Sequence, residues 1–344
     1  MFKAVAGYYK DNERLRLLVK IIAVWLISRA VMLLMVPVMN LIADEPHQWL
    51  YYMNPWDAEW YKGIVENGYQ PPKSSGMASW AFFPLYPLVC MAVRLVTMES
   101  IDTYAVGMTV SNICIIIAVY YAVKYADIEL DMKKYNKKTV EDIIIFLMLA
   151  GPFAVYYGAM YTEALFILCV ILCFYNSARH NYMAAGIAAA MASATRIVGC
   201  MLVFVLITYM LMETCAECRA KHNSEMKDNK EAGIIDKCML TEEAGILIAG
   251  NISLASVIRT FIKNVIKEPK KLVAIMISPL GIFIYMNYLR YFCGDSWAFY
   301  HVQRAWRTQK MFPVIGVLFK ACTGQLSAAS GVKTLNGIIL GWLC

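Results

Sequence analysis

The stretch Asn54-Pro55-Trp56-Asp57-Ala58-Glu59-Trp60-Tyr61 places two carboxylates among aromatic and proline side chains, directly after a long apolar segment. It runs on through Asn67-Gly68-Tyr69 to Trp80-Ala81-Phe82-Phe83-Pro84-Leu85-Tyr86-Pro87. Tryptophan and tyrosine rings are enriched where a membrane meets water, so this pattern is typical of a loop at a membrane surface. We interpret the rest of the chain as the scaffold that holds this loop.

The composition indicates a polytopic membrane protein. Of the 344 residues, 60% are hydrophobic and only 17% are charged, and the mean hydropathy of +0.52 is well above that of soluble domains. Several apolar runs approach the roughly 20 residues that cross a hydrocarbon core. The first run is too long for a signal peptide and lacks a small-residue cleavage site, so it predicts a retained helix. The expected fold is all-α, a multi-helix transmembrane bundle forming one integral membrane domain over residues 1–344.

The charge pattern sets an expected topology. The formal net charge is +7, but the basic residues lie at the ends of apolar runs, which argues against a nucleic-acid partner and for the positive-inside rule. The basic residues before and within the start of the run 17–42 predict a cytoplasmic N-terminus. Residues 44–103 are then a large extracytoplasmic loop, in which the short, proline-broken run 82–96 lies at the interface or re-enters the membrane.

Later apolar runs alternate across the membrane. The run 104–123 is predicted to cross inward, and the segments 143–157, 164–175, 183–194 and 197–212 continue out and back. Residues 213–271 are predicted to be a cytoplasmic loop that carries a basic amphipathic helix, lying on the inner membrane surface or packed on the protein itself. The run 272–289 then crosses outward. A last run, 312–322, spans only partly, and the apolar C-terminus suggests that final spans are missing.

This alternation gathers polar residues from four distant parts of the chain at the outer surface. Among them, we expect Asp57 to be catalytic and six residues to bind substrate: Trp56, Glu59, Glu163, Arg196, His301 and Arg304. A carboxylate can take a proton from an attacking hydroxyl, and guanidinium groups can hold a phosphate leaving group. Asp295 and Arg307 are placed at the same surface. Such an arrangement suits transfer of a sugar from an anionic lipid carrier.

Structural interpretations of the same residues stay open. Asp57 could instead cap a short helix that begins near Ala58, and Glu163 could be a structural ion-pair partner. Arg304 could bind lipid phosphates in general. Arg29 lies inside the first span, where it faces either the bundle interior or, by snorkelling, the interface. No metal and no cofactor are expected, because the loop carboxylates lack ligand spacing and Cys215-Ala216-Glu217-Cys218 has no matching second pair.

Several of these motifs resemble the PIG-V family of mannosyltransferases, within the GT-C superfamily. They are Trp56-Asp57-Ala58-Glu59-Trp60-Tyr61, Gly68-Tyr69, Ala81-Phe82-Phe83-Pro84-Leu85-Tyr86-Pro87, Tyr161-Thr162-Glu163-Ala164-Leu165-Phe166 and Ala194-Thr195-Arg196. The segment Gly294-Asp295-Ser296-Trp297-Ala298-Phe299 to His301-Val302-Gln303-Arg304-Ala305-Trp306 is similar to a later loop of bacterial members. By position, Asp57 matches the acidic residue that GT-C enzymes use as a base or to orient the acceptor.

The resemblance implies an inverting transferase that takes mannose or a similar hexose from a polyprenyl-phosphate sugar on the extracytoplasmic side. Its partners would be that donor, a lipid or glycan acceptor, membrane lipids and, if helices are missing, a second subunit. The membrane would be the cell membrane in a bacterium or the endoplasmic reticulum in a eukaryote. Transfer of another sugar, a transporter or lipid flippase with charges lining a path, and a non-catalytic scaffold are the alternatives.

Overall fold

A computed structural model describes residues 12–42, 48–231 and 254–306 of the chain. In these ranges every regular element is a helix, which confirms the all-α fold. The helices are α1 (Glu13–Ile42), α2 (Trp49–Met53), α3 (Ala58–Asn67), α4 (Leu85–Val96), α5 (Thr103–Glu129), α6 (Lys137–Leu149), α7 (Glu163–Ala178), α8 (Tyr182–Thr195), α9 (Leu202–Glu231), α10 (Leu254–Lys267), α11 (Pro269–Ile277), α12 (Leu280–Cys293), α13 (Ala298–His301) and α14 (Gln303–Trp306). Short 3₁₀ turns lie at Ser79–Ala81, Pro152–Val155 and Ile197–Met201.

Membrane-length helices coincide with the longest apolar runs. Within the described ranges, three helices are long and apolar enough to cross a bilayer: Glu13–Val38, Thr103–Glu129 and Ile197–Lys221. The pair α11 and α12 reaches that length together, with a bend of 43° between its members. Helices α4, α7 and α8 are apolar but shorter. Helix α9 stays regular to Glu231, so the polar section expected from residue 213 begins as a helix. The expected partial span 312–322 lies outside the described residues.

Polar contacts sort the helix ends into two groups. At one end, which we call the loop end, Arg196 after α8 pairs with Glu163 at the start of α7, and Tyr61 of α3 lies 3.4 Å from Thr162. At the other, which we call the opposite end, Lys20 of α1 pairs with Glu141 of α6. Successive long helices therefore run in alternate directions, and residues 54–84 cover one end of the bundle.

Helix α8 packs against α11 and α12 at very short range because glycines and alanines fill the interface. A Cβ added to Gly186 would lie 2.7 Å from the carbonyl oxygen of Ala274. A Cβ on Gly281 would lie 2.3 Å from the carbonyl oxygen of Ala190. Side chains larger than hydrogen do not fit at these two points, so the backbones of α8, α11 and α12 form one tightly packed unit.

Helix α10 is amphipathic, as predicted, and uses its apolar residues in two ways. Val265 is buried and Phe261 packs against the core, while Asn264 donates a 2.8 Å hydrogen bond to Glu217 of α9. A second row stays exposed, with Ile258, Ile262 and Ile266 at 45, 50 and 67% of their surface. The helix thus packs on its own protein and also presents an apolar row beside Arg259, Lys263 and Lys267.

Candidate active site

A cavity of about 740 Å³ lies at the loop end, where four distant segments of the chain meet. The loop contributes Asp57, Tyr61 and residues 81–83, and the start of α7 contributes Thr162 and Phe166. The junction between α8 and α9 supplies Thr195, Arg196, Ile197 and Val198, and residues after α12 supply Phe299, Tyr300 and Gln303. The cavity is the size of a small-molecule site. Its walls bring together most of the segments that the sequence placed at one surface.

Asp57 directly precedes α3, which begins at Ala58 as the sequence predicted. The alternative that Asp57 caps this helix is wrong, because its side chain makes no cap hydrogen bond and its backbone is already helical, with φ −68° and ψ −16°. The carboxylate lines the cavity instead. Asp57 is exposed where it borders the open cavity, but the surrounding protein partly desolvates its carboxylate and raises its pKa. The negative charge of Glu163 raises the pKa further, and Arg196 opposes both. A carboxylate with a raised pKa is a stronger base than an ordinary aspartate.

The backbone before Asp57 is strained and tightly held. Trp56 has φ 49°, in the left-handed region that bulky residues rarely adopt. The side chain of Asn54 is buried; its Oδ1 accepts a 2.7 Å hydrogen bond from the backbone N–H of Met160. The Tyr161 hydroxyl donates to the Pro55 carbonyl at 2.5 Å and accepts from the Asp57 N–H at 3.2 Å. These bonds fix where the Asp57 side chain points, and strained backbone of this kind clusters at functional sites.

Glu163 and Arg196 form the ion pair of the cavity. Arg196 Nη1 lies 2.9 Å from Glu163 Oε1, and the two side chains are 43 and 26% exposed. Glu163 Oε2 is buried and has no hydrogen-bond partner within the described part of the chain. The contact therefore uses one guanidinium nitrogen of Arg196 and one carboxylate oxygen of Glu163. Arg196 also lines the cavity, and a guanidinium group binds anions such as phosphate through its N–H groups.

Aromatic rings form much of the cavity's wall and are themselves anchored. Tyr61 packs edge-on against Phe82 with ring centroids 5.0 Å apart, and burial raises the pKa of its hydroxyl, so Tyr61 stays protonated. The Phe82 carbonyl accepts from Tyr69 at 2.7 Å and from Tyr285 of α12 at 3.2 Å. Tyr86, also in this motif, is fully buried and bonds Gly107 and Ser111 of α5. The Phe-Pro-Leu-Tyr-Pro segment thus joins the loop to the helices and also lines the cavity through Phe82 and Phe83.

Five of the predicted site residues do not line the cavity. Glu163 is connected to it only through its ion pair with Arg196, and the other four lie at the surface. Trp56 is 65% exposed, and Glu59 and Arg304 are also exposed. His301 lies beside the wall residue Tyr300, but its Nδ1 is 2.6 Å from Asp295 Oδ2 and the pair faces solvent. This hydrogen bond lowers the pKa of Asp295. The structure therefore brings Asp57, Glu163 and Arg196 together and leaves Trp56, Glu59, His301 and Arg304 at the surface around them. Arg307 lies outside the described residues.

Sequence reasoning assigned no role to several residues that build the site. Asn54 and Tyr161 hold the strained turn, and Tyr300 and Gln303 close the far wall. Tyr161 opens the Tyr-Thr-Glu motif, so the motif itself could have indicated a role for Tyr161 as well as for Glu163. Among the residues that the structure describes, no group of three His, Cys, Asp or Glu side chains could hold a metal ion. Arg196 is the one cation among the described residues that line this cavity.

Comparison with known proteins gives one match. The sequence profile of the family described as Mannosyltransferase (PIG-V) matches residues 15–229, which is more than half of the chain. No curated protein and no solved structure matches it significantly. The matched region carries the loop with Asp57, the Glu163 segment and Arg196, and it includes the spans α1 and α5. The protein therefore belongs to the PIG-V mannosyltransferase family and is a membrane-bound glycosyltransferase.

Proposed function

We propose that the protein transfers mannose, with inversion at the anomeric carbon, from a polyprenyl-phosphate donor to a lipid or cell-envelope acceptor. The observation that carries this proposal is the state of the Asp57 carboxylate. It stands at a helix N-terminus without capping it, lines the cavity and lies near the Glu163–Arg196 pair. A base and a cation on one cavity are what this reaction requires.

The proposed step uses these groups as follows. The acceptor oxygen attacks the anomeric carbon of mannose from the face opposite the phosphate, so a new C–O bond forms as the sugar–phosphate C–O bond breaks. The phosphate leaves with the bonding electron pair and remains on the polyprenyl carrier. The acceptor proton passes to Asp57, whose raised pKa favours taking it. One attack on one centre gives inversion.

Arg196 is proposed to bind the phosphate as its negative charge grows. Its guanidinium is fixed by Glu163 at 2.9 Å and lies on the cavity wall. A pre-positioned donor aimed at developing charge lowers the barrier because it need not reorganise during the reaction. Glu163 is accordingly a positioning residue, and the aromatic wall around Phe82 offers flat surfaces for the sugar. Trp56, Glu59, His301 and Arg304 would contact substrate only beyond the cavity, at its surface.

We further propose that the loop end is extracytoplasmic and that the N-terminus is cytoplasmic. The basic residues near α1 and between α5 and α6 support this orientation under the positive-inside rule. In a variant free of other reactive thiols, Ser75→Cys at the loop end should react with an impermeant maleimide added to intact cells or sealed right-side-out vesicles. Lys133→Cys at the opposite end should react only after permeabilisation. The reverse pattern would refute the orientation.

The test of function is transfer of radiolabelled mannose from polyprenyl-phosphate mannose into lipid-extractable product. Asp57→Asn keeps the shape of the side chain but removes the base, so we expect a loss of about 100-fold or more. Asp102→Asn is the matched control: Asp102 caps α5 through the N–H groups of Tyr104 and Ala105, and asparagine caps equally well. Full activity of Asp57→Asn would overturn the role of Asp57. No transfer by the wild type from any polyprenyl-phosphate sugar would overturn the donor.

A further inference from the structure

Arg29 lies in the middle of the spanning helix α1, and its charge has no counter-ion among the described residues. Its Nη1 donates to the Ala154 carbonyl at 2.9 Å and contacts the Met32 sulfur at 3.0 Å. Nε and Nη2 are buried and find no acceptor in the described part of the chain. A cation inside a membrane is costly unless it is paired, so an unpaired guanidinium at this depth indicates a missing anion.

Arg29 lines a second cavity, of about 370 Å³, that shares no lining residue with the candidate active site. Its walls come from α1, α2, α5 and the turn before α7, and they are mostly apolar. Arg29 is the one charged residue among them. Among the described residues, none that lines this wall is a carboxylate that could neutralise it. Gly158 adjoins the arginine, and a Cβ there would lie 2.5 Å from Nη1, so the glycine leaves room for the guanidinium.

The polar side chains of Asn112 and Thr109 in this cavity are already satisfied within the protein. Asn112 Oδ1 accepts from the Trp25 indole at 2.7 Å, and its amide donates to the carbonyls of Met108 and Gly158 at 2.7 and 3.3 Å. Thr109 donates to Ala105 at 2.8 Å. Arg29 is the charged group of this wall whose hydrogen bonds are incomplete, since Nε and Nη2 are covered by neighbouring atoms and have no acceptor among the described residues. Two N–H groups of one planar guanidinium are the geometry that binds two oxygens of a phosphate or carboxylate.

The opening of the cavity indicates where its ligand comes from. Leu33 of α1 and Ile113 of α5 line it and are 45 and 53% exposed, and both belong to helices long enough to span the membrane. Exposed aliphatic side chains on such helices contact lipid chains. An occupant therefore enters sideways from the bilayer, and its apolar part can lie against these residues while its anion reaches Arg29.

We propose that this cavity is a lipid-phosphate site, separate from the site of sugar transfer. The phosphate of one membrane lipid pairs with the Arg29 guanidinium, which must turn toward the cavity to expose its covered Nε and Nη2, and the lipid chain lies along α1 and α5. The site does not depend on the identity of the sugar donor. Binding there compensates the charge of Arg29 and holds a lipid near the turn that carries Asp57, because Met108 lines this cavity and contacts Asn54 of that turn at 3.2 Å.

The test is binding of dodecyl phosphate to the full-length protein in a non-ionic detergent, measured by native mass spectrometry. Dodecanol and inorganic phosphate are the comparison ligands. We expect Arg29→Gln to weaken dodecyl phosphate binding about tenfold or more, the loss of a charged hydrogen-bonding partner. Arg29→Lys should retain part of the binding. Arg179→Gln, which removes an exposed arginine at the opposite end, should leave binding unchanged.

A second variant keeps the test decisive if Arg29→Gln does not fold. Ile113→Trp leaves the arginine in place and narrows the mouth of the cavity, so it should also weaken dodecyl phosphate binding. Unchanged binding in folded Arg29→Gln, or equal binding of dodecanol, would overturn the proposal. Inorganic phosphate that competes as strongly as dodecyl phosphate would overturn the lipid part of it. Transfer activity is not the readout, so failure here is separate from failure of the proposed reaction.

Discussion

The two ends of the bundle both carry buried or half-buried charges, and they treat them differently. At the opposite end, Lys271 of α11 lies between Glu213 at 3.1 Å and Glu268 at 2.8 Å, with its side chain 5% exposed. Tyr182 donates to Glu213 at 2.8 Å, and His180 lies 3.6 Å from it. At the loop end, Asp57 makes no cap bond, and one oxygen of Glu163 is buried without a partner in the described residues.

The contrast separates charges that hold the protein together from charges that are available for chemistry. Groups that saturate one another, as around Lys271, have little capacity left for a ligand, so their loss should affect folding. Groups with unused donors and acceptors facing a cavity gain partners only when substrate arrives. Sequence alone shows ionisable residues near the ends of apolar runs in both places. The difference appears only in how their hydrogen bonds are filled.

The variant Arg196→Gln should show the largest effect on activity, and it tests this comparison directly. Removing the cation of the cavity should lower kcat/KM for mannose transfer about 100-fold, similar to loss of one donor aimed at developing charge. Arg196→Lys should recover part of the activity, because it keeps the charge but not the planar fork. Thermal unfolding in detergent should change little for both. A large loss of stability with unchanged activity per folded molecule would place Arg196 with the structural charges.

Lys271→Gln should show the reverse pattern. Leaving Glu213 and Glu268 without their shared cation should reduce the free energy of unfolding by about 2 kcal/mol, less than for a fully buried pair because Glu268 is largely exposed. Activity per folded molecule should remain near that of the wild type. The matched control is Lys270→Gln, the exposed neighbour, which should be neutral. Lost activity at unchanged stability in Lys271→Gln would break the comparison.

Tyr161→Phe tests whether the strained turn before Asp57, at the loop end, contributes to sugar transfer. The change removes the hydroxyl that holds the Pro55 carbonyl and the Asp57 N–H, so Asp57 should lose its fixed direction. We expect transfer to fall about tenfold, the equivalent of one hydrogen bond of about 1.4 kcal/mol. Tyr157→Phe removes a neighbouring hydroxyl and should be near neutral. Equal activity of both variants would show that the turn is held without Tyr161.

The smallest predicted effect is on the pH dependence of kcat/KM. The proposed base acts only when Asp57 is ionised, so the rate should fall as pH drops through its pKa, which lies above that of an ordinary aspartate. Glu163→Gln removes a charge that raises this pKa, so the acidic limb should move to lower pH. Arg196→Gln removes a charge that lowers it, so the limb should move to higher pH. If both variants shift the acidic limb in the same direction, or if neither shifts it, a group other than Asp57 controls the pH profile.

Much of the fold could be predicted from the sequence because hydropathy reports helix length directly. The spans α1 and α5 were located within a few residues, and α3 begins at the predicted position. Alternation of spans also predicted that Asp57, Glu163 and Arg196 come together. The wall residues Tyr300 and Gln303 were not identified, since hydropathy does not indicate which face of a short helix meets a cavity.

The details that decide function depend on tertiary hydrogen bonds between distant residues. The periodicity of hydrophobic residues along the sequence predicts neither the contact of Asn54 with Met160 nor that of His301 with Asp295. The direction of Arg29 was likewise open between two interpretations, and only the packing of α1 against the turn before α7 shows that it faces a cavity. Hydropathy and helix propensity predict which helix or loop a residue lies on. Hydrogen bonds and ion pairs between side chains then decide which polar groups remain available to a ligand.

The wide spread of the cavity's walls along the chain has a consequence for biosynthesis. Asp57 enters the membrane early, but Phe299, Tyr300 and Gln303 emerge from the ribosome about 250 residues later. At about 5–20 residues per second, this delay is roughly 12–50 s. During that interval the nascent chain holds its proposed base without the opposite wall of the cavity. The described wall of the cavity is therefore complete only when synthesis has reached α14, so an incomplete chain released before that point lacks one side of the cavity.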